Sequence, residues 1–198
     1  MSTHLDMNLL RALHRSGVEY DARQSDRLLR RRNLEPESAA LLAVVLRAMG
    51  ARRMVEIGTS NGYSAIWFAD ALRASGGEPL LSVDLDGAAQ REAAAQLAEA
   101  GLAGQVELRE ADGGAVLREV PDGSLDALFL DSERTEYAGW WPHPRRVLRP
   151  GGLLIIDNVL SHPDEVAEFL ALVEADAGFT STTAAVGKGL ALAVRAAA

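Results

Sequence analysis

Acidic side chains recur wherever an apolar run of this chain ends. Glu56 sits in the run 54–57, Asp84 follows 80–83, and Asp112 comes shortly after 106–108. Asp131 follows 125–130, and Asp157-Asn158 follows 153–156. With each run a strand, five successive strands carry a carboxylate to one rim. A single Asp in such a place is most often a helix cap; five together are hard to explain as caps alone. If the strands ending at Asp131 and Asp157 are neighbours, their tips lie about 5 Å apart. Two carboxylates and the Asn158 carboxamide there repel one another when empty. They suit a hard cation such as Mg2+, with waters or substrate in the remaining positions. Asp157-Asn158 equally fits plain turn chemistry after a strand.

A second constellation runs from Met54 to Ser64, M-V-E-I-G-T-S-N-G-Y-S. An apolar run ends in Glu56-Ile57-Gly58, a polar turn follows, and a new period starts at Tyr63 with Ile66, Ala69 and Leu72. That is strand, tight turn and helix, the order that holds a nucleotide-like ligand at a helix N-terminus. Gly58 and Gly62 let the backbone turn sharply and approach a ligand. Asp84 lies 22 residues beyond Gly62, a spacing that suits a carboxylate accepting from two ribose hydroxyls. Gly58-Thr59-Ser60-Asn61-Gly62 also satisfies G-x-S-x-G, the nucleophile elbow of α/β-hydrolases, with Asp131 or Asp157 and then His162 in the required order. That rival, with Ser60 as nucleophile, gives Asp84 and Asp112 no task and lacks the preceding strand loop that supplies an oxyanion donor. A nicotinamide-binding G-x-G-x-x-G is short of its middle glycine. A binding module without turnover is a further alternative.

Holding these residues on one rim requires a parallel sheet. Between the apolar runs lie helical stretches at 63–73, 88–100, 114–119 and 137–148, then a helix near 164–175 and strands at 180–186 and 190–194. Strand–helix alternation predicts an α/β fold with helices on both faces of the sheet. Gly187-Lys188-Gly189 reads as a hairpin turn, so at least one strand pair is antiparallel. Residues 1–50 read as a helical segment, a cap or dimer element of the same domain, and 51–198 as the ligand-binding domain. In the first segment Leu9, Leu10 and Leu13 share a helix face, a basic run spans 27–32, and Pro36 precedes an Ala- and Leu-rich helix at 38–49. The basic run fits a solvated helix face or a phosphate contact.

Composition narrows the chemistry. The chain has 198 residues, enough for one domain with a real core. There is no cysteine, which removes disulfides and thiolate nucleophiles together. The formal net charge of −8 argues against a polyanionic partner such as nucleic acid. No stretch has the length to span a membrane, and no basic-then-apolar leader opens the chain, so a cytoplasmic protein is expected. Lys188 is the sole lysine and reads as a turn residue.

The motifs E-I-G-T-S-N-G-Y-S, V-D-L-D, F-L-D-S-E-R-T-E-Y, L-R-P-G-G and D-N-V-L, in that order, resemble the small metal-dependent O-methyltransferases that use S-adenosyl-L-methionine. These include the catechol and caffeoyl-CoA types and bacterial relatives. The resemblance implies a Rossmann-like, doubly wound sheet of about seven strands, the last antiparallel, preceded by N-terminal helices. It implies that Glu56, Gly58, Thr59, Ser60, Gly62, Tyr63 and Ser64 hold the methionine and ribose part of the cofactor. Asp84 with Leu85 would take the ribose, and Asp112 with Gly113 the adenine side. Asp131 would lie between cofactor and metal, with Asp157 and Asn158 completing the protein ligands of a divalent ion, Mg2+ first and Mn2+ or Ca2+ next. The acceptor implied is a small catechol-like aromatic, and the assembly a homodimer; a tRNA hydroxyuridine is the other acceptor that relatives suggest.

Where the family usually has lysine, three residues after the first metal aspartate, this chain has Arg134. A guanidinium stays protonated and cannot serve as base. Either a metal-bound hydroxyl then ionises unaided, or another group takes the proton, with Glu133 and His162 as candidates. Arg134 fits a holder of the phenolate or of a substrate carboxylate, or the mark of a shifted substrate class. His162 also fits a plain helix-start residue before Pro163. The Trp-Gly pair that often follows D-N-x-L in plant enzymes is absent. Trp140 and Trp141, close after Tyr137, either wall an aromatic pocket or pack the core.

Overall fold

The computed structural model describes residues 5–26 and 30–197. Residues 27–29 of the basic run lie outside that set. Two helices lead the chain, α1 (Met7–Asp21) and α2 (Pro36–Ala48). The Asp6 carboxylate starts α1 by accepting from the backbone N–H groups of Asn8 and Leu9. Pro36 starts α2, where its missing N–H costs nothing.

Seven strands form one sheet: β1 (Met54–Ile57), β2 (Leu80–Asp84), β3 (Val106–Glu110), β4 (Leu125–Leu130), β5 (Leu148–Ile156), β6 (Phe179–Ala184) and β7 (Leu190–Arg195). Their order is β3-β2-β1-β4-β5-β7-β6. The first five are parallel, and β7 runs antiparallel to both β5 and β6. The strand order reverses between β1 and β4, the place where open α/β sheets bind ligands. The connecting helices are α3 (Tyr63–Ala74), α4 (Gly87–Glu99), α5 (Gly113–Glu119), α6 (His143–Val147) and α7 (Pro163–Ala175).

Strand alternation sorts the core into two layers. Met54, Ala127, Phe129 and Ile155 face the layer that holds Leu10, Leu13, Leu42, Leu46 and Phe68. Val55, Ile57, Leu128 and Ile156 face Val116, Val166 and Phe169 on the other side. The N-terminal helices thus help build one of the two layers. Leu42 and Leu46 are fully buried there, each stabilising the fold by about 2 kcal/mol. No described helix is long and apolar enough to cross a membrane.

Two stretches differ from the sequence reading. Residues 137–148 were expected as one helix; instead a 3₁₀ turn at Arg134–Trp140 precedes the short α6. Pro142 and Pro144 remove N–H donors that a continuous helix would use. The tighter turn puts every third residue on one side, and Arg134, Tyr137 and Trp140 are the three that it buries. β5 starts at Leu148, five residues before the expected 153. Leu148 pairs with Leu125, and the register then shifts to Ala127 with Leu153. The Pro150-Gly151-Gly152 segment is absorbed in that irregularity, which an apolar-run criterion reads as a strand break.

Candidate active site

The turn after β1 is held from every side. Gly58 has φ +106°, and its N–H donates to the Val83 carbonyl at 2.8 Å. A Cβ on Gly58 would stand 2.1 Å from the Asp131 carbonyl oxygen. Only glycine lets the tips of β1 and β4 come this close. Thr59 and Ser60 donate their N–H groups to Asp84 Oδ2 at 3.0 and 2.9 Å, and Asp86 N–H donates to Oδ1 at 3.0 Å. Gly62, φ +84°, leads into α3.

Beneath this turn runs a buried polar chain. Ser64 and Ser82 donate their hydroxyls to the two oxygens of Glu56, at 2.5 and 2.6 Å. Ser82 and Thr59 hydroxyls share a 2.7 Å bond, and Gln90 Nε2 donates to Thr59 and to the Arg109 carbonyl. Burial pushes Glu56 up to about 8, against the pull of the two hydroxyl donors. Burial thus favours the neutral form of Glu56, in which one of the two serine bonds runs from the carboxyl O–H instead, and in either form the group ties β1 to β2 and α3.

Above the turn opens a cavity of about 290 Å³. Of the residues singled out in the sequence, Gly58, Thr59, Ser60, Tyr63, Ser64, Asp84, Leu85, Gly113, Asp131 and Arg134 line it. Glu56, Gly62, Asp112, Asp157, Asn158 and His162 lie outside its walls. Asp112 caps α5, its carboxylate accepting from Ala115 N–H at 2.7 Å. Leu85 is 67% exposed at the edge of the cavity, an apolar side chain without cover. Residues 30–34 form the opposite wall. Asp21 accepts the N–H groups of Arg31 and Arg32, Ser60 donates its hydroxyl to the Arg31 carbonyl, and the Arg31 guanidinium pairs with Glu92 and stacks 4.3 Å over the Tyr20 ring.

Next to the cavity lies the acid pair. β4 and β5 are neighbours, so Asp131 and Asp157 do share a rim. Asn158, φ +66°, donates its amide to Asp131 Oδ1 at 2.9 Å and to Asp157 Oδ2 at 3.0 Å. Asp157 Oδ1 is buried with no hydrogen-bond partner. Burial, and then the Asp131 charge, raise Asp157 to about 8. Burial raises Asp131 to about 6, while Arg32, Arg134 and Lys188 pull it back. Among the described residues no three His, Cys, Asp or Glu side chains cluster as a metal cage. The rim offers two carboxylates and a carboxamide, an oxygen set for Mg2+-like ions that leave positions to water. The orphan Asp157 oxygen fits such a cation. Asn158 would present its oxygen to such a cation only with its amide turned over, since its Nδ2 now faces both carboxylates.

The expected catalytic groups are placed as follows. Arg134 is 3% exposed and holds Glu165 Oε2 through Nε at 2.8 Å and Nη2 at 2.6 Å. His162 precedes α7, its Nδ1 2.9 Å from the Ser161 hydroxyl. Tyr137 and Trp140 are buried together, with ring centroids 5.2 Å apart, and Trp140 also reaches the cavity wall. Lys188 is more than a turn residue: its ammonium sits 2.7 Å from Glu35, and its charge acts on both Asp131 and Asp157. The hairpin tip is anchored by Leu160 and Ser161 N–H groups donating to the Lys188 carbonyl. A lone lysine between two glycines was the available sign.

Sheet order, antiparallel last strand and a cavity at the switch point define a Rossmann-like methyltransferase fold. Solved structures agree. An O-methyltransferase from Bacillus cereus, in complex with SAH, superposes with a TM-score of 0.81 at 22% identity, covering 96% of this chain and 91% of that one. TomG of Streptomyces achromogenes, an O-methyltransferase involved in tomaymycin synthesis and solved with SAM, gives 0.80 at 25%, covering 97% and 91%. A catechol O-methyltransferase of Niastella koreensis is 29% identical over 131 residues, 65% of this chain and 58% of that protein. The chain belongs to the O-methyltransferase family, whose model matches residues 7–191. It is an S-adenosylmethionine-dependent O-methyltransferase.

Proposed function

We propose that this enzyme methylates a hydroxyl of a small, catechol-like aromatic acceptor held by a divalent cation at Asp131, Asp157 and Asn158. The observation that carries this reading is the buried, unpartnered Asp157 oxygen in an acid pair beside the cavity. A buried carboxyl oxygen left without a partner is costly unless a ligand completes it.

In this reading the donor lies over the β1–α3 turn. Thr59, Ser60 and Ser64 surround its methionine end, Asp84 accepts from its ribose, and Leu85 and Gly113 flank its base. Asp84 already accepts three backbone N–H groups, so it meets a ribose from a fixed position. The bound cation would supply a lowered pKa for the acceptor hydroxyl, and the donor a methyl on positively charged sulfur. The protein's own task is alignment, which can supply several kcal/mol of the barrier. Arg134, locked to Glu165, places a guanidinium at the cavity wall, where it favours a phenolate. The acceptor's proton goes elsewhere, with His162 and Glu133 as candidates.

Ser60 gives its hydroxyl to the Arg31 carbonyl and no histidine among the described residues lines the cavity, which speaks against a hydrolase. Arg31, part of the basic run that RNA binding would use, is engaged by Glu92 and Tyr20. The test is methyl transfer from S-adenosylmethionine to a panel of catechols, with and without chelator. Turnover that survives chelation would remove the cation from the mechanism.

A further inference from the structure

Three non-glycine residues among those described have a left-handed backbone: Arg32 (φ 48°), Ser60 (φ 48°) and Asn158 (φ 66°). All three border the cavity or the acid pair. Backbone strain of this kind persists where surrounding structure enforces it, and it concentrates at functional sites. Ser60 and Asn158 have visible work for their side chains, a bond to the Arg31 carbonyl and a bridge between two carboxylates.

Arg32 is different. Its backbone is pinned by Asp21, which accepts its N–H at 2.8 Å. Four arginines line the cavity. Arg30 donates to the Gln24 carbonyl, Arg31 pairs with Glu92, and Arg134 pairs with Glu165. Among the described residues the Arg32 guanidinium makes no hydrogen bond or ion pair. It is half-buried, and its charge acts on Asp131 at the boundary between the cavity and the rim. Among the described residues this planar five-donor fork has no hydrogen-bond partner, and in a cavity wall on a strained backbone it suits a planar anion.

We propose that Arg32 binds a carboxylate carried by the acceptor, so that the enzyme prefers catechol-like aromatic acids to neutral catechols. This rests on the function proposed above. The donor carries a carboxylate of its own in the same cavity, and the experiment separates the two sources. In protein saturated with S-adenosylhomocysteine, benzoate and 3,4-dihydroxybenzoate are titrated into the parent and into Arg32→Met, followed by tryptophan fluorescence. Binding of S-adenosylhomocysteine is measured separately. The expected result is at least tenfold weaker binding of both acids to Arg32→Met, with S-adenosylhomocysteine affinity changed less than twofold. Equal binding of the acids to both proteins, or no binding to the parent, overturns the proposal. A loss confined to S-adenosylhomocysteine overturns it too, and assigns Arg32 to the donor. In turnover, the variant should lose about tenfold in kcat/KM on 3,4-dihydroxybenzoate and little on catechol. A parent inactive on both acceptors, yet binding the acids through Arg32, refutes the catechol reading alone.

Discussion

The donor turn and the acid rim sit at adjacent strand tips and are built on opposite plans. In the turn almost every polar group already has a partner: Asp84 accepts three N–H groups, and Glu56 is closed between two serines. The rim leaves a carboxylate oxygen with none and crowds two acids whose protonation is raised by burial. One region is nearly complete without a ligand, the Gln90 Oε1 atom excepted; the other, in the proposed function, would be completed by one. A site finished in advance loses little ordering free energy on binding. A site left unfinished selects strongly for the charge that it lacks.

The largest effect that separates the two regions is expected from Asp157→Ala. Turnover that depends on a divalent ion should fall by at least about a thousandfold, while S-adenosylhomocysteine affinity, read by calorimetry, stays within a few-fold. Loss of cofactor binding with cation binding unchanged would reverse the division of labour. Next comes the seam between them. Gly58→Ala places a methyl against the Asp131 carbonyl and strains a φ of +106°, so it should cost more than about 2 kcal/mol in denaturant unfolding. Wild-type stability in that variant would mean that the tips part freely.

Glu56→Gln tests whether the turn rests on a neutral acid. A carboxyl that titrates near 4.5 unfolded and about 8 folded binds its proton more tightly in the native state. Its contribution is full below the unfolded value and drains away as pH rises toward 8. The variant cannot ionise there. Its melting temperature relative to the parent should climb between about pH 5 and pH 8 and level off above. A difference independent of pH would show that Glu56 is ionised in the fold. The smallest effect belongs to Ser60→Ala, which removes one hydroxyl bond to the Arg31 carbonyl. About 1 kcal/mol of stability should go, with methyl transfer reduced only a few-fold; complete inactivation would restore Ser60 as a reacting group.

Much of this fold can be read from local pattern. β1, β4 and the start of α3 fall where apolar runs and the Gly58–Gly62 turn put them, and the Gly187–Gly189 turn does join an antiparallel pair. Pattern reading failed where neighbours decide. Residues 134–147 form a 3₁₀ turn and a short helix because prolines break the ladder and three side chains at threefold spacing face the core. β5 runs back through Pro150-Gly151-Gly152 because Leu125 offers Leu148 a partner. The aspartates of the site were legible as strand-end residues. Glu56, next to the glycine turn in sequence, faces the layer beneath it, a matter of strand alternation. Arg32 was legible only as part of a basic run and Lys188 only as a lone lysine in a glycine turn; their charges act on Asp131 through the folding of distant segments, which no local pattern shows.

The contact of Gly58 with the Asp131 carbonyl gives the two plans a common hinge pin. A shift at the donor's turn cannot leave the first aspartate of the rim where it was. With the proposed cation on the rim, thermodynamic reciprocity would make donor and cation report on each other: whatever factor the cation adds to donor affinity, the donor would return to the cation.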